Sequence, residues 1–295
     1  MKTVVVLGGS NTDLIATPSE SPVRTGTSNP GRILLSPGGV GRNVAEAVAR
    51  LGVPVALLSA VGVGPLAELT LERTRLAGVD VSRVRRATGE ERSVYLAVHD
   101  QAGDLILGIS EMSAMDLCSA AYVEEHRELI REAALLILDA NVPVESAERA
   151  LSLANGAGVP VLADPVSAPK AHVLASLGGE LYLATPNRDE APILQQGRLR
   201  VRHLLVTRGP EGVGWIDHSR KGERTFPVPP VEGARTNGAG DAFLAGISAG
   251  LYHGLALEGA IEWGIAAARL TLRSEETTDP ELSRERIEEE VERCF

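Results

Sequence analysis

The 295-residue sequence is short of cysteine, of lysine and of net positive charge, and it has no long apolar run. Two cysteines, Cys118 and Cys294, lie far apart with no C-x-x-C spacing, which excludes a disulfide or zinc framework and suits ordinary thiols in a reducing compartment. Lysine occurs 3 times against 26 arginines; that bias says nothing about function, but it makes each lysine easier to weigh. The formal charge of −10 argues against a nucleic-acid partner, which usually demands a basic surface. No apolar stretch reaches the roughly 20 residues that span a bilayer. The opening "MKTVVVLGG" reads as a buried first strand and not as a signal peptide, so a cytoplasmic location is the default expectation. Repeats, low-complexity tracts and a Walker A pattern are all missing.

What the sequence does have is 44 % apolar residues, enough for a sizeable core in one large α/β unit. Short apolar runs at Val4–Leu7, Val55–Ser59, Leu135–Leu138, Val159–Ala163, Leu181–Ala184 and His203–Thr207 read as buried strands. Helical patterns at Asn43–Leu51, Pro65–Ala77, Val144–Gly156 and Lys170–Leu177 lie between them, which implies a mostly parallel sheet covered on both faces. The last third, Asp241–Ser274 and Pro280–Arg293, reads as helices on that core, the tail "SRERIEEEVER" being a charged amphipathic helix with a solvated face. Residues 12–36 and 91–110 break the alternation with β-rich segments ("RILLS", "SVYLAVHD", "DLILGIS"), expected to form a small sheet inserted in a single 1–295 domain, either a lid over a cleft or a decorative hairpin. Between "TPNRDEA" and the next strand only "PILQQGRLR" remains, short for a crossover of a dozen or more residues.

Five stretches carry chemistry. In "RTNGAGDAFLAG", Arg235–Gly246, the small residues Gly238, Ala239 and Gly240 lead into Asp241 and a helix. Glycines ahead of a helix let backbone N–H groups face a cleft, and the helix start adds about half a positive charge, which makes an anion hole. Asp241 either caps that helix or accepts a proton from an attacking hydroxyl. In "SPGGVGRNVAEAVARLG", Ser36–Gly52, Gly38, Gly39 and Gly41 allow a polar ligand close to the backbone, and Asn43 either caps the helix or bonds that ligand. "GGSNTDL", Gly8–Leu14, follows the first strand, where ligands bind in open α/β sheets; Asn11 and Asp13 grip sugar hydroxyls or form a polar turn. In "TPNRDEA", Asn187 and Glu190 stand i, i+3 on one helix face and either hold a hydrated Mg²⁺ through water or simply begin a helix with Pro186 near its first turn. "VTRGPEGV", Val206–Val213, suits a nucleotide's phosphates or ribose, or is a plain hairpin turn.

The order of these motifs resembles the ribokinase-like, or phosphofructokinase-B type, carbohydrate kinase family over nearly the whole chain, with "TNGAGDAFLAG" and "GGVGRNVAEAVARLG" as the specific regions. The resemblance implies a Rossmann-type α/β/α sandwich with a β-sheet lid. It implies that ATP donates its γ-phosphate to a sugar hydroxymethyl group, with Asp241 as base and Gly238, Ala239 and Gly240 as anion hole. By the same likeness Asn187 and Glu190 organise Mg²⁺ and phosphates, Thr207, Gly209 and Gly212 bind ATP, and Asn11, Asp13, Gly38, Gly39 and Asn43 contact the sugar. Lid sheets in this family pair between subunits, so a homodimer is expected. "SNPGRILLSPGGVGRN", "LDANVP" and "ADPVSAPKA" resemble the pseudouridine kinase branch, whose members phosphorylate a nucleoside 5′-hydroxyl. A uracil ring offers acceptors and donors, so Ser28, Asn29 and Lys170 are candidates for reading the base and Asn141 for base or ribose. Arg235 stands where many relatives carry an acid that helps bind a potassium-like ion, which makes monovalent-cation activation doubtful. Another sugar or nucleoside kinase of the family, a non-catalytic small-molecule sensor and an NAD-dependent oxidoreductase are the rival readings; the last lacks G-x-G-x-x-G after the first strand.

Overall fold

The structure, a computed structural model, describes residues 2–219, 222–231 and 238–295. Its centre is an eight-stranded sheet in the order Glu223–Phe226, Val213–Asp217, Arg200–Thr207, Glu180–Ala184, Val161–Asp164, Leu135–Asp139, Val4–Leu7, Val55–Leu58. The six strands from Arg200–Thr207 to Val55–Leu58 pair in parallel. The remaining two continue the sheet antiparallel, with Thr207 opposite Val213, so the sheet is mixed. Only five residues separate these strands, too few for a parallel crossover, and a hairpin is the pairing left to them. "VTRGPEGV" is therefore a hairpin turn, built on the short 3₁₀ segment Gly209–Glu211.

Period-two alternation sorts each strand's side chains to two faces. Val4 and Val6 enter one core with the helices Val40–Arg50, Pro65–Leu76, Ala239–Tyr252 and Leu257–Leu272. Val5 and Leu7 enter a second core with Ala120–Glu125, Arg127–Arg131 and Val144–Ala157. Both faces of the first strand are thus apolar, which is why the sequence there runs as unbroken Val and Leu. In the first core the helix Ala239–Tyr252 lies unusually close to Leu257–Leu272. A Cβ on Gly246 would stand 2.6 Å from the Trp263 carbonyl oxygen and 2.8 Å from the Gly264 Cα. The C-terminal helix Arg284–Cys294 is less solvated than its charge suggests: Ile287 joins the core, and buried Glu290 accepts from Arg269, Arg273 and Arg293.

A second sheet of four strands, Gly31–Gly38, Asn11–Pro18, Val94–His99 and Leu105–Glu111, stands apart from the first. Its two chain entries meet at one point. Asn11–Pro18 leaves the first strand through Gly8, Gly9 and Ser10, while Gly31–Gly38 returns opposite it and runs into the helix Val40–Arg50. Both junctions lie at the carboxyl end of the parallel strands, where open α/β sheets bind ligands.

The short crossover is real and closes economically. Its helix is only Ala191–Gln195, with Pro192, not Pro186, in the first turn. Asn187–Glu190 forms a turn ahead of that helix, so the two residues do not share a helix face. Gly197 then presses on Ala175, whose carbonyl oxygen a Cβ would approach to 2.5 Å. Gly246→Ala is expected to destabilise the protein by about 1–3 kcal/mol in denaturant melts even though Ala favours helix, because overpacking outweighs propensity; an unchanged midpoint would contradict this packing.

Candidate active site

The site is assembled around a buried carboxylate, Asp139, at the end of the strand Leu135–Asp139. Its Oδ2 accepts from the Gly9 N–H at 2.8 Å and the Gly41 N–H at 2.6 Å, and its Oδ1 from the Asn141 N–H at 2.7 Å. These bonds draw the loop after the first strand and the start of the helix Val40–Arg50 together. The approach is close enough to require glycine, since a Cβ on Gly41 would lie 2.6 Å from the Gly8 Cα. Burial raises the Asp139 pKa, and the three N–H donors oppose that rise.

Asp241 sits in the first turn of the helix Ala239–Tyr252, whose N-cap is Gly238 with φ 81°. Only glycine adopts that conformation readily, and a Cβ would also overlap the Thr277 carbonyl. The first N–H groups of the helix have no intrahelical partner and open toward any anion placed there. A Cβ on Gly240 would meet nothing within 4 Å, so that glycine borders open space and not a packed neighbour. The Asp241 carboxylate accepts from Asn43 Nδ2 at 2.8 Å, joining two elements 198 positions apart in sequence. Burial pushes its pKa up to about 7, the Asn43 hydrogen bond pulls it down, the Asp139 charge adds to the rise and Arg42 opposes it.

The sugar-side candidates come together around these two acids. Asn11 donates to Asp13, and a Cβ on Gly38 would overlap the Asp13 carboxylate. Gly39, with φ 97°, lies against the Gly9 carbonyl. Burial lifts the Asp13 pKa to about 6, with Asn11 and Arg42 opposing. Asn141 borders Gly9, and Lys170 Nζ donates to its Oδ1. Ser28 and Asn29 are not brought to the cluster. They lie in the connection at the far end of the hairpin, which begins at Asn11–Gly38 and ends at Pro18–Gly31, roughly 20 Å away at strand spacing. The Asn29 side chain is used in closing that connection, bonding the Arg24 N–H at 2.9 Å and the Arg24 carbonyl at 2.8 Å.

The nucleotide-side candidates form a second group. Asn187 bridges to Thr207, bringing the two motifs side by side. Thr207, Gly209, Gly212, Ala239 and Gly240 line one largely apolar cavity of about 480 Å³ with Val228 and Phe243. Asn187 donates to both Glu190 oxygens, each at 2.9 Å, from its backbone and its amide. Among the described residues no group of three His, Cys, Asp or Glu stands ready to cage a metal. One buried, already hydrogen-bonded carboxylate fits a hydrated Mg²⁺ held mainly by phosphate oxygens and not a protein-enclosed ion. Arg235, and with it the question of a monovalent cation, lies outside the described residues.

Three residues central to this geometry escaped the sequence reading: Asp139, Asp164 and Arg42. The acids share one signal, a carboxylate directly after an apolar strand run ("LLILD", "VLAD"). Asp164 lies near enough to Asp241 that burial and this neighbour hold its pKa well above normal. Its Oδ1 accepts from the Val166 N–H at 2.7 Å, which secures Val166 at φ 67°, a strained position for a β-branched residue. Arg42 gave no signal, being a charged residue in a helix.

The sequence pattern of the pfkB family carbohydrate kinases matches residues 1–284. A pseudouridine kinase of Escherichia coli (strain K12) is 32 % identical over 296 residues, covering 95 % of this chain and 93 % of that one. A carbohydrate kinase structure from Agrobacterium tumefaciens superposes with a TM-score of 0.85 at 27 % identity, over 99 % of this chain and 97 % of the other. Arabidopsis thaliana ribokinase, solved with ribose and ATP, gives a TM-score of 0.83 at 20 % identity, over 98 % of each chain. The chain belongs to the pfkB family of carbohydrate kinases. It is a phosphotransferase that acts on a hydroxyl group of a sugar or nucleoside, with the ribokinase-like fold. No helix among the described residues is long and apolar enough to cross a membrane.

Asp139→Asn, although isosteric, puts an NH₂ group opposite at least one of three backbone N–H donors. A loss of about 1–3 kcal/mol in thermal or urea unfolding is expected, and wild-type stability would contradict the clasp. The raised Asp241 pKa carries a second expectation. A carboxyl that binds its proton more tightly folded than unfolded stabilises fully below its unfolded pKa and loses that contribution as pH rises through about 7. Asp241→Asn should therefore raise Tm at pH 8 but not at pH 4; equal shifts at both would contradict the assignment.

Proposed function

We propose that this chain is an ATP-dependent nucleoside kinase that phosphorylates the 5′-hydroxyl of pseudouridine, with Asp241 as general base. The observation that carries the reading is Asp241 itself: a carboxylate tuned to about 7, fixed by Asn43 and set at a glycine-capped helix N-terminus. A base with that pKa is half ionised at neutral pH and takes a hydroxyl proton without being trapped by it. The N–H groups of Ala239, Gly240 and Asp241 face the charge that develops on the transferring phosphoryl group. Asn11 and Asp13 hold ribose hydroxyls, with Gly38 and Gly39 letting the sugar approach the backbone.

ATP suits the cavity beside Thr207, Gly209 and Gly212, whose apolar walls accept a purine while Gly240 opens toward its phosphates. Asn187 and Glu190 would hold Mg²⁺ through water, and the ion, when bound, offsets phosphate charge. The four-stranded sheet serves as a lid that excludes water from the transfer. Pseudouridine is favoured over ribose by the Asn141–Lys170 pair beside Gly9: Lys170 occupies the amide oxygen, leaving the Asn141 NH₂ for a base carbonyl. The similarity to the E. coli pseudouridine kinase supports the same choice.

On one face of the lid the two outer strands expose Ile33 (71 %), Leu35 (40 %), Leu107 (51 %) and Ile109 (53 %), in register across Leu14, Ala16, Leu96 and Val98. A continuous apolar patch of this kind marks an interface, and we assign it to a second copy of the chain, working in the cytoplasm. Light scattering is expected to give a dimer that Ile33→Asp/Ile109→Asp converts to monomer; a monomeric wild type would contradict it.

Side-by-side assays of ATP-dependent phosphorylation with pseudouridine, uridine, adenosine and ribose test the function. Strong preference for pseudouridine is expected, and preference for another acceptor would overturn the substrate while leaving the kinase chemistry. Asp241→Asn should lower kcat by about 10²–10⁴-fold with substrate binding retained; near-normal turnover would overturn the base.

A further inference from the structure

Arg42 is 4 % exposed, one of the costliest groups to bury, and its whole fork is engaged. Nε donates to Thr74 Oγ1 at 3.1 Å. Nη1 donates to Asn43 Oδ1 at 2.9 Å and to the Pro37 carbonyl at 3.5 Å. Nη2 pairs with Glu46 Oε2. Glu46 does not need Arg42 for its own neutralisation. Its other oxygen already accepts from Arg50 Nε at 2.8 Å and Nη2 at 2.6 Å. The direction of support therefore runs inward, from Arg50 through Glu46 to Arg42, and from Arg42 to Asn43.

The Asn43 amide is two-ended. Its oxygen takes the Arg42 hydrogen bond and its NH₂ donates to Asp241 Oδ2. Turned over, the amide would set oxygen against carboxylate and NH₂ against guanidinium, unfavourable at both ends. We propose that Arg42 is a positioning residue: by occupying Asn43 Oδ1 it locks the amide so that Nδ2 aims the Asp241 carboxylate at the substrate hydroxyl. This rests on Asp241 being the base of the transfer proposed above.

The charges around Asp241 make the device useful. Asp139 and Asp164 face it from two central strands and Asp13 from the lid strand, three carboxyls whose charge, when ionised, opposes its own. Arg42 is the cation set against Asp13 and Asp241, and Glu276 faces Arg42 from the segment after the helix Leu257–Leu272. Holding the carboxylate in one orientation counters its tendency to turn from like-charged neighbours.

The test is a mutant cycle on a pair that keeps the fold. Arg42→Met/Glu46→Met replaces the buried pair with apolar residues of similar size, a change often neutral for stability, and melting curves establish that it folds. With pseudouridine and ATP, the pair is expected to lower kcat about ten- to a hundredfold with little change in KM. Adding Asn43→Ala should cost nothing beyond what Asn43→Ala costs alone. Unchanged kcat in the Met pair, or losses that multiply, would overturn the proposal. Arg42→Lys, which can still reach Asn43 Oδ1, should recover part of the rate.

Should the wild type transfer phosphate to none of these acceptors, it is the substrate reading that fails, not the lock. The amide lock is then read by NMR in the apo protein. The Asn43 side-chain ¹⁵N–¹H pair should shift as Asp241 titrates and lose that shift in the Met pair. A persistent shift would overturn the lock.

Discussion

Three backbone N–H groups, from Gly9, Gly41 and Asn141, converge on the Asp139 carboxylate. Each belongs to a different segment: the loop leaving the first strand, the start of the helix Val40–Arg50, and the turn after the strand that carries Asp139. Satisfying one buried charge therefore fixes three pieces of backbone relative to one another. The glycines follow from this. Gly8 and Gly41 meet at a distance that excludes a Cβ, and Gly39 turns the chain through a positive φ against Gly9. The hairpin of the four-stranded sheet and the helix bearing Asn43 both start from this knot, so the hydrogen bond from Asn43 to Asp241 depends on it.

The electrostatic problem of the site is a crowd of carboxyl groups where the proposed reading places a polyphosphate. Asp13, Asp139, Asp164 and Asp241 lie within mutual influence, and all four have raised pKa values, chiefly through burial. The fold answers with fixed dipoles and few cations. The N-terminus of Ala239–Tyr252 supplies N–H groups, Arg42 stands behind Asp13 and Asp241, and Lys170 stands near Asp139. The same crowding that makes Asp241 reluctant to ionise places its pKa in the range useful for a base at neutral pH. Its hydrogen bond runs across the cleft to Asn43, which suits an aimed base better than a helix cap.

Much of this was legible in the chain. Strands buried on both faces announced themselves as runs such as "VVVL" and "LLIL", and the glycine clusters marked the close approaches at Gly39 and Gly238. The antiparallel edge was not legible, because Val213–Asp217 and Glu223–Phe226 are short and partly polar and carry no strong period. Asn187 and Glu190 were found for their spacing, but their spacing cannot distinguish a turn from a helix. Asp139 and Asp164 looked like ordinary loop acids, since nothing local reveals that distant N–H groups or carboxylates will surround them. Ser28 and Asn29 lie at the far end of the hairpin from the buried acids, a separation not legible in the sequence, which names a hairpin's residues without its length in space. Arg42 was passed over because an Arg with Glu46 at i, i+4 on one helix is an ordinary surface pattern, and only packing against Thr74 and the Pro37 carbonyl buries it.

The central claim, that Asp241 is a base held near neutrality, is tested most directly by the pH dependence of kcat/KM for the nucleoside at saturating phosphoryl donor. The base works ionised, so the rate should fall about tenfold per pH unit below about 7 and level off above it. A profile flat down to pH 5, with its break in the ordinary aspartate range, would contradict the account.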